Sequence, residues 1–581
     1  MSNRLRTLLI ATTFLAASCC AGTDDNSQSG AQAPTFRSKT DVVLVPVLVR
    51  NKSGPVEGLT AEQFFVTEDG KPQKIASVEL IKTGTAIKRP EEPGQFTNQM
   101  ISTGPARVTI IAIDMINTPF LDQAFARWQL LKYFASSISA NEPTAIFAMY
   151  GNGSVSLLHD ISSDSAALAQ AVQSLSGALP NSAAETRTSI TGAGLPVSLR
   201  VAEEVQALRS YRDWTSGGAN SYNLRRNMEA TLSCMRQIGA AFWGAPGRKS
   251  FIWVTGSFPF DINGAGNLVS PTVFFAGSRQ ESSAYYRTHS GALPPLPETS
   301  SAIRDDDLAP LRPQFRTLLQ QFDSGNMVLY PMDARGLMTL TFEAADAHDN
   351  RMLLRLQKDR VLISQMTMET MAKMTGGKAC YNKNDIVACV NDATHEAEEY
   401  YLLSYYRDQN STKPGWRKLS VKVTRPDVEV RARSGYFYGN EPADKNAQKL
   451  ALSMALSSSV PFSTVPFSAR FLTTAQAGGK KLVRYQIYIP PETIELADPG
   501  EKNLQLELIA VASTLKEPFS DQVAEIVGGN LPPDALAAIH KQGISYKSAL
   551  KLSPGDYTVR FMVRVVATNA IGSVIAPLKV E

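Results

Sequence analysis

The residues with the clearest chemical potential are acids and hydroxyls at the ends of apolar runs. Asp114 closes the β-branched run Val108–Ile113, and Pro119 follows shortly after. Thr255 closes "KSFIWVT" and Asp333 closes "NMVLYPMD". A strand that delivers one carboxylate to its tip commonly ends at a metal or phosphate site, because open sheets bind ligands at the carboxyl ends of their strands. If the three strands lie in one sheet, Asp114, Thr255 and Asp333 share a rim.

Other reactive residues point away from familiar catalysis. The five histidines are His159, His289, His348, His395 and His540, and none has metal-pair spacing. "HEAEE" at His395 lacks the second histidine of a zinc-protease helix and reads as a solvated helical face. There is no Gly-x-Ser-x-Gly elbow, P-loop or dinucleotide fingerprint, and "TGGK" at Thr375 reads as a helix stop. A hydrolase with an unfamiliar site is the enzyme reading left open. Cys380 and Cys389 lie nine residues apart across "CYNKNDIVAC". In an oxidising compartment that spacing suits a disulfide; two buried thiols are the alternative. Cys234, on a helical apolar face, reads as core.

The N-terminus reads as an export leader over residues 1–21: "MSNRLR" is positive, "TLLIATTFLAA" apolar, and "SCCAG" small. Its apolar run is too short to span a bilayer. Cys19, after "AAS", fits a lipobox cysteine, although Ala16 stands where such boxes usually carry leucine. Lipid anchoring at Cys19, release as a soluble secreted or periplasmic protein, and retention of the leader as a membrane anchor are all open. Residues 22–36 form a polar tether. At 581 residues the chain needs three or four domains. Its net charge of +4 falls to about +2 without Arg4 and Arg6, too little for nucleic-acid binding.

The elements that must position the rim follow from periodicity. Residues 37–86 read as an N-terminal β segment, with 416–438 as a candidate pairing partner. It holds "DVVLVPVLV", apolar on both faces, and a hairpin at Asp69-Gly70. "KRPEEPGQFTNQMISTGP" reads as a polar linker. Residues 107–406 alternate strand and helix, with insertions near 178–222 and 260–305. Leu121, Phe125, Trp128 and Ala135 make one helical stripe; Leu224, Met228, Leu232, Met235 and Phe242 make another. "YYLLSYY" reads as the last strand of this unit. Such alternation predicts an α/β fold with a mostly parallel sheet covered on both faces. Residues 416–438 alternate with period two around Pro426 and read as a β-hairpin. Residues 450–581 are β again, and "LSPGDYTVRF" has the tyrosine-corner pattern of an immunoglobulin-like sandwich.

Several stretches, in order, resemble the bacterial VWFA-related (Acidobacterial) domain family, a branch of the von Willebrand factor type A proteins. They include "LVPVLVRNKSGPVEGLTAEQFFVTEDGKPQKI", "IDMINTPFLDQAFARWQLLKYF", "PGRKSFIWVTGSFPF", "YPMDARGL" and "TGGKACYN", within residues 37–438. The resemblance implies a Rossmann-like A-type domain that binds another protein, often through a divalent ion (Mg²⁺ or Mn²⁺) at the rim. In that pattern Asp114 matches the first aspartate and Thr118 stands in for the second serine. Ile116 replaces the first serine, Ala219 the loop threonine and Gly256 the fourth-strand aspartate. Asn117, Asp122 or Asp333 are the alternative oxygens. With two of five ligands matched, the resemblance implies a degenerate adhesion site, with Asp114 capping the next helix or bonding loop amides.

The leading expectation is an exported, non-catalytic protein that binds a protein partner and meets membrane only through a lipid at Cys19. A structural or assembly component of the cell envelope is the alternative.

Overall fold

The computed structural model describes residues 42–85, 87–88, 90, 92–118, 120–136, 142–175, 218–256, 261–262, 268–269, 308–336, 351–407, 413–439, 445–497, 503–517 and 519–581. The leader, Cys19, the tether and nearly all of both expected insertions lie outside these residues.

The expected α/β class, with a Rossmann-like and mostly parallel sheet, is corrected by the sheets themselves. Among the described residues the chain is mostly β, and six of seven sheets contain only antiparallel pairs. Among the described residues, parallel pairing between strands is confined to one five-stranded sheet, in which Thr144–Met149, Arg107–Asp114, Arg248–Thr255 and Met327–Asp333 run together and Val155–Ser162 runs against them. The physical reason is connection length. Two-residue turns such as Asp69-Gly70, both at positive φ, can only join antiparallel strands, whereas parallel neighbours need a long crossover. The strand expected to finish the parallel unit, Glu399–Tyr406, begins just after the helix Ile386–His395 ends. It pairs instead, antiparallel, with Val42–Asn51 and Ile75–Lys82.

The sandwich so formed is built from two distant parts of the chain. One sheet has the order Glu429–Ala432, Val42–Asn51, Glu399–Tyr406, Ile75–Lys82. The other has Gly435–Tyr438, Gly415–Val423, Phe64–Glu68, Lys71–Gln73. Val45, Val47, Phe64, Val66, Leu403 and Tyr405 fill the space between them. The strands on either side of Pro426 go to opposite sheets: Glu429–Ala432 pairs with Val42–Asn51, and Gly415–Val423 with Phe64–Glu68. "DVVLVPVLV" is covered on one face only at its start, where Val42 and Leu44 are exposed.

The five-stranded unit is inserted between these two parts. Its central strands are buried along their whole length. Helices Phe120–Ser136, Ser165–Ser174 and Ile386–His395 cover one face, and Gly218–Phe242, Leu311–Ser324 and Arg351–Thr375 the other. Met228, Leu232, Met235 and Phe242 are buried, as their spacing predicts; the side chain of Leu224 lies outside the description. In the first helix the stripe is displaced: Ala126, Leu130, Tyr133 and Phe134 face the core, and Trp128 is 57% exposed. The helix Arg351–Thr375 stops at Gly376-Gly377, where a Cβ on Gly377 would come within 2.0 Å of the Leu329 carbonyl oxygen. No described helix is long and apolar enough to cross a membrane.

The C-terminal part is a sandwich of two four-stranded antiparallel sheets around Tyr485, Ile487, Leu506, Leu508 and Phe561. The Tyr557 hydroxyl donates to the Ser553 carbonyl at 3.0 Å, closing the corner expected from "LSPGDY". The supposed linker contributes a strand here: Gln95–Thr97 pairs with Ser468–Ala477.

Candidate functional site

The rim is made where strand Arg107–Asp114 ends between its neighbours. Asp114 is 0% exposed, so its charge has no water to solvate it. Five protein donors take that role. Oδ1 accepts from the backbone amides of Ile116 at 2.8 Å and Asn117 at 3.0 Å. Oδ2 accepts from Asn117 Nδ2 at 2.8 Å, Thr255 Oγ1 at 2.8 Å and Trp253 Nε1 at 3.2 Å. Burial holds the Asp114 carboxyl above the ordinary carboxylate range, while the donors from Asn117, Thr255 and the loop amides pull it down. Asn117 also donates from Nδ2 to Thr231 Oγ1 at 2.9 Å, tying the loop to the helix Gly218–Phe242.

Thr118 and Asp333 reach the same rim but are engaged elsewhere. Thr118 Oγ1 accepts from the Gly256 amide at 2.9 Å. Asp333 lies opposite Thr255 in register, and the Ala334 amide donates to the Thr255 carbonyl at 2.8 Å. The Asp333 carboxylate takes a two-pronged contact from Arg335, Nε to Oδ1 at 2.8 Å and Nη2 to Oδ2 at 2.7 Å. Asp122 sits in the first turn of Phe120–Ser136.

These residues do not fit the divalent ion, Mg²⁺ or Mn²⁺, that the sequence resemblance implies. A carboxylate is acceptor-only with about four lone-pair sites. Asp114 already receives five donors, and Asp333 is neutralised by a guanidinium. Ile116 and Gly256 bring no side-chain oxygen to the gap. Among the described residues no group of three or more His, Cys, Asp or Glu side chains is arranged to hold a metal.

Two contributors escaped the sequence reading. Trp253 and Thr231 are fully buried and carry their polar atoms into the rim from a strand and a helix that look merely apolar. An indole one strand-repeat before Thr255, on the strand beside Asp114, was the signal available for Trp253.

A disulfide braces the rim from outside. Cys380 and Cys389 are bonded, with Cα atoms 6.2 Å apart. Cys380 continues the edge of the sheet: its amide donates to Pro331 O, and its carbonyl accepts from the Asp333 amide, both at 2.8 Å. The bond therefore ties the helix Ile386–His395 to the strand that carries Asp333. Cys234 is a buried free thiol that burial pushes far up from its ordinary pKa.

No family model matches the chain, and no curated protein matches it in sequence. Solved structures similar to parts of it include an aerotolerance-related membrane protein from Bacteroides fragilis NCTC 9343, at 11% identity and TM-score 0.24, covering 50% of this chain and 100% of that one. Another is the pilus adhesin SpaC from Lactobacillus rhamnosus GG in its open conformation, at 8% identity and TM-score 0.23, covering 87% of this chain and 56% of that one. A third is the three N-terminal domains of the type V pili tip protein Mfa5 from Porphyromonas gingivalis, at 9% identity and TM-score 0.23, covering 86% of this chain and 96% of that one. At these TM-scores the likenesses carry no argument about function.

Proposed function

We propose that this is an exported, non-catalytic protein whose work is to bind another protein, and that it does so without a cation at the rim. The observation that carries the reading is an exposed apolar patch on the outer face of the N-terminal sandwich. Val42 pairs directly with Tyr406, and Leu44 follows two residues along the same face. These side chains are 50%, 60% and 51% exposed. Contiguous apolar surface of this kind marks interaction sites more often than isolated exposed residues do. The leader sequence and the Cys380–Cys389 bond support export, since disulfides persist in oxidising compartments. The ordered motifs quoted above support kinship with the VWFA-related (Acidobacterial) proteins.

The test is capture of a partner from envelope extract by the mature chain, with and without chelator. A variant carrying Val42→Thr, Leu44→Thr and Tyr406→Thr should lose the partner, and chelator should leave capture unchanged. Capture that survives the triple substitution, or that chelator abolishes, would count against the reading.

The alternative, a structural component of the envelope, draws on the firm seam between the inserted unit and the C-terminal sandwich. There the Ser463 amide donates to Ala240 O at 2.8 Å and its hydroxyl accepts from the Gly244 amide at 2.9 Å. Under that reading the triple variant keeps all its associations, and weakening the seam removes them.

A further inference from the structure

The chain as a whole is nearly neutral, but one of its sheets is not. In the C-terminal sandwich, Gln95–Thr97, Ser468–Ala477, Lys480–Ile489 and Ile544–Leu552 lie in one sheet. These four strands hold six Lys or Arg residues and no Asp or Glu. The companion sheet carries both signs, and there Arg564 pairs with Glu507 at 2.6 Å.

Strand alternation puts the charge on one side. Val483, Tyr485, Ile487, Leu550 and Leu552 turn into the core, so the residues between them face out. Arg470, Arg484, Lys547 and Lys551 stand there, all exposed, with Lys480 at the hairpin end. None of the five makes an ion pair with a described carboxylate. Acids border the face without lying on it. Asp521, on the companion sheet, accepts the Lys551 amide at 2.6 Å, and Glu92 precedes the edge strand Gln95–Thr97. Like charges gathered on one face repel one another, which costs stability until an anion screens them.

We propose that this face binds an acidic polysaccharide laid across the strands. Arg470 pairs in register with Gln486, and Gln486 with Lys547. Cation, amide and cation thus follow one another at strand spacing, about 4.8 Å. Arg470 Nε donates to Gln486 Oε1 at 2.8 Å and Gln486 Nε2 to Ser545 Oγ at 2.6 Å, which orders the row. Held by Nε, the Arg470 guanidinium keeps its terminal nitrogens for a carboxylate or sulfate. Gln486, Ser545 and Thr473 offer sugar hydroxyls donors and acceptors between the charges. Nucleic acid asks for several stacking rings, and this face has one exposed ring, Tyr488. A bilayer asks for apolar groups to insert, and the outward positions are mainly polar.

The full chain is titrated with polygalacturonate, a carboxylated polymer, and heparin, a sulfated one, with neutral dextran, poly-glutamate, single-stranded DNA and phosphatidylglycerol vesicles in parallel. At least one acidic polysaccharide should bind tightest and weaken as NaCl rises from about 50 to about 500 mM. The combined Arg470→Gln, Arg484→Gln and Lys547→Gln variant should bind it at least about tenfold more weakly with its thermal midpoint kept. Lys579→Gln, on the companion sheet, should change nothing. Val42→Thr, Leu44→Thr and Tyr406→Thr, on the other sandwich, should also leave this binding intact, so the two surfaces are tested separately. Binding of neither acidic polysaccharide, equal binding of dextran, tighter binding of poly-glutamate, DNA or vesicles, or unchanged affinity in the triple Gln variant would each overturn the proposal.

Discussion

Asp114 illustrates how a residue can keep its place and change its work. Both carboxylate oxygens are consumed by donors from the loop, from Asn117 and from the neighbouring strand. Asparagine cannot substitute, because one end of its amide would bring N–H groups against donors. We therefore expect Asp114→Asn to cost about 1–3 kcal/mol, with Asp114→Ala costing more, measured by urea denaturation. A neutral Asp114→Asn would mean that the residue is a simple cap. Calorimetric titration with Mg²⁺ or Mn²⁺ should show no heat that depends on Asp114.

Lys249, at the other end of the sheet, is a second residue defined by burial. Its ammonium donates to the Ala245 carbonyl, and burial pushes its pKa down to about 7 from an ordinary 10.5. Between those two values the unfolded chain holds a proton that the folded one lacks. Stability should therefore rise as pH goes from about 7 towards 10.5. Lys249→Met should flatten that rise, read as the difference in urea midpoint between about pH 7 and about pH 9. An unchanged slope in the variant would show that Lys249 keeps its proton on folding.

Elements here are held by a few polar ties as much as by apolar faces. The short strand Gln95–Thr97 joins the C-terminal sandwich because the next residue, Asn98, is fully buried and satisfied. Its Nδ2 donates to Phe462 O at 2.6 Å and Val465 O at 2.9 Å, and its Oδ1 accepts from the Phe467 amide at 2.9 Å. Asn98→Ala would leave the Val465 carbonyl and the Phe467 amide unpaired, while the Phe462 carbonyl keeps the Ser573 amide, and should cost about 2 kcal/mol in thermal or urea unfolding. The Cys380–Cys389 bond closes a short loop beside the rim. Peptide mapping without reduction should recover the crosslinked pair, and reduction should lower stability by roughly 2–3 kcal/mol.

For the whole molecule, the telling feature is the seam between the inserted unit and the C-terminal sandwich. Ala240, Ala455, Phe462, Val511, Met562 and Ile571 share one buried cluster across it. Gly244 sits at its edge: a Cβ there would meet the Ser463 carbonyl oxygen at 2.5 Å, without entering a left-handed backbone conformation of its own. Gly244→Ala should therefore act on the seam alone. We expect it to split a joint calorimetric transition into two, with the C-terminal sandwich melting earlier. A single transition merely shifted in temperature would show that the two parts still melt as one unit and that the added Cβ does not uncouple them.

The sequence by itself determined the local parts. Apolar runs gave the strands Arg107–Asp114, Arg248–Thr255 and Met327–Asp333, since a strand buried on both faces reads as a near-continuous apolar run through its middle. The helix stripe through Met228, Leu232 and Met235, the Asp69-Gly70 turn and the Tyr557 corner were legible for similar reasons, each being a short-range rule of period or backbone angle. The nine-residue spacing of Cys380 and Cys389 pointed to their bond. Only the tertiary structure decided partnership. Nothing local distinguishes Glu399–Tyr406 as the last strand of a parallel sheet from the same strand in an antiparallel sandwich; the available partners, Val42–Asn51 and Ile75–Lys82, lie more than three hundred residues away. The rim shows the same limit. Asp114 was visible as a carboxylate at a strand tip, but whether it faced an ion or protein donors depended on Trp253, Thr255 and Asn117 converging on it, and hydrogen-bond geometry between distant segments has no signature in the order of residues.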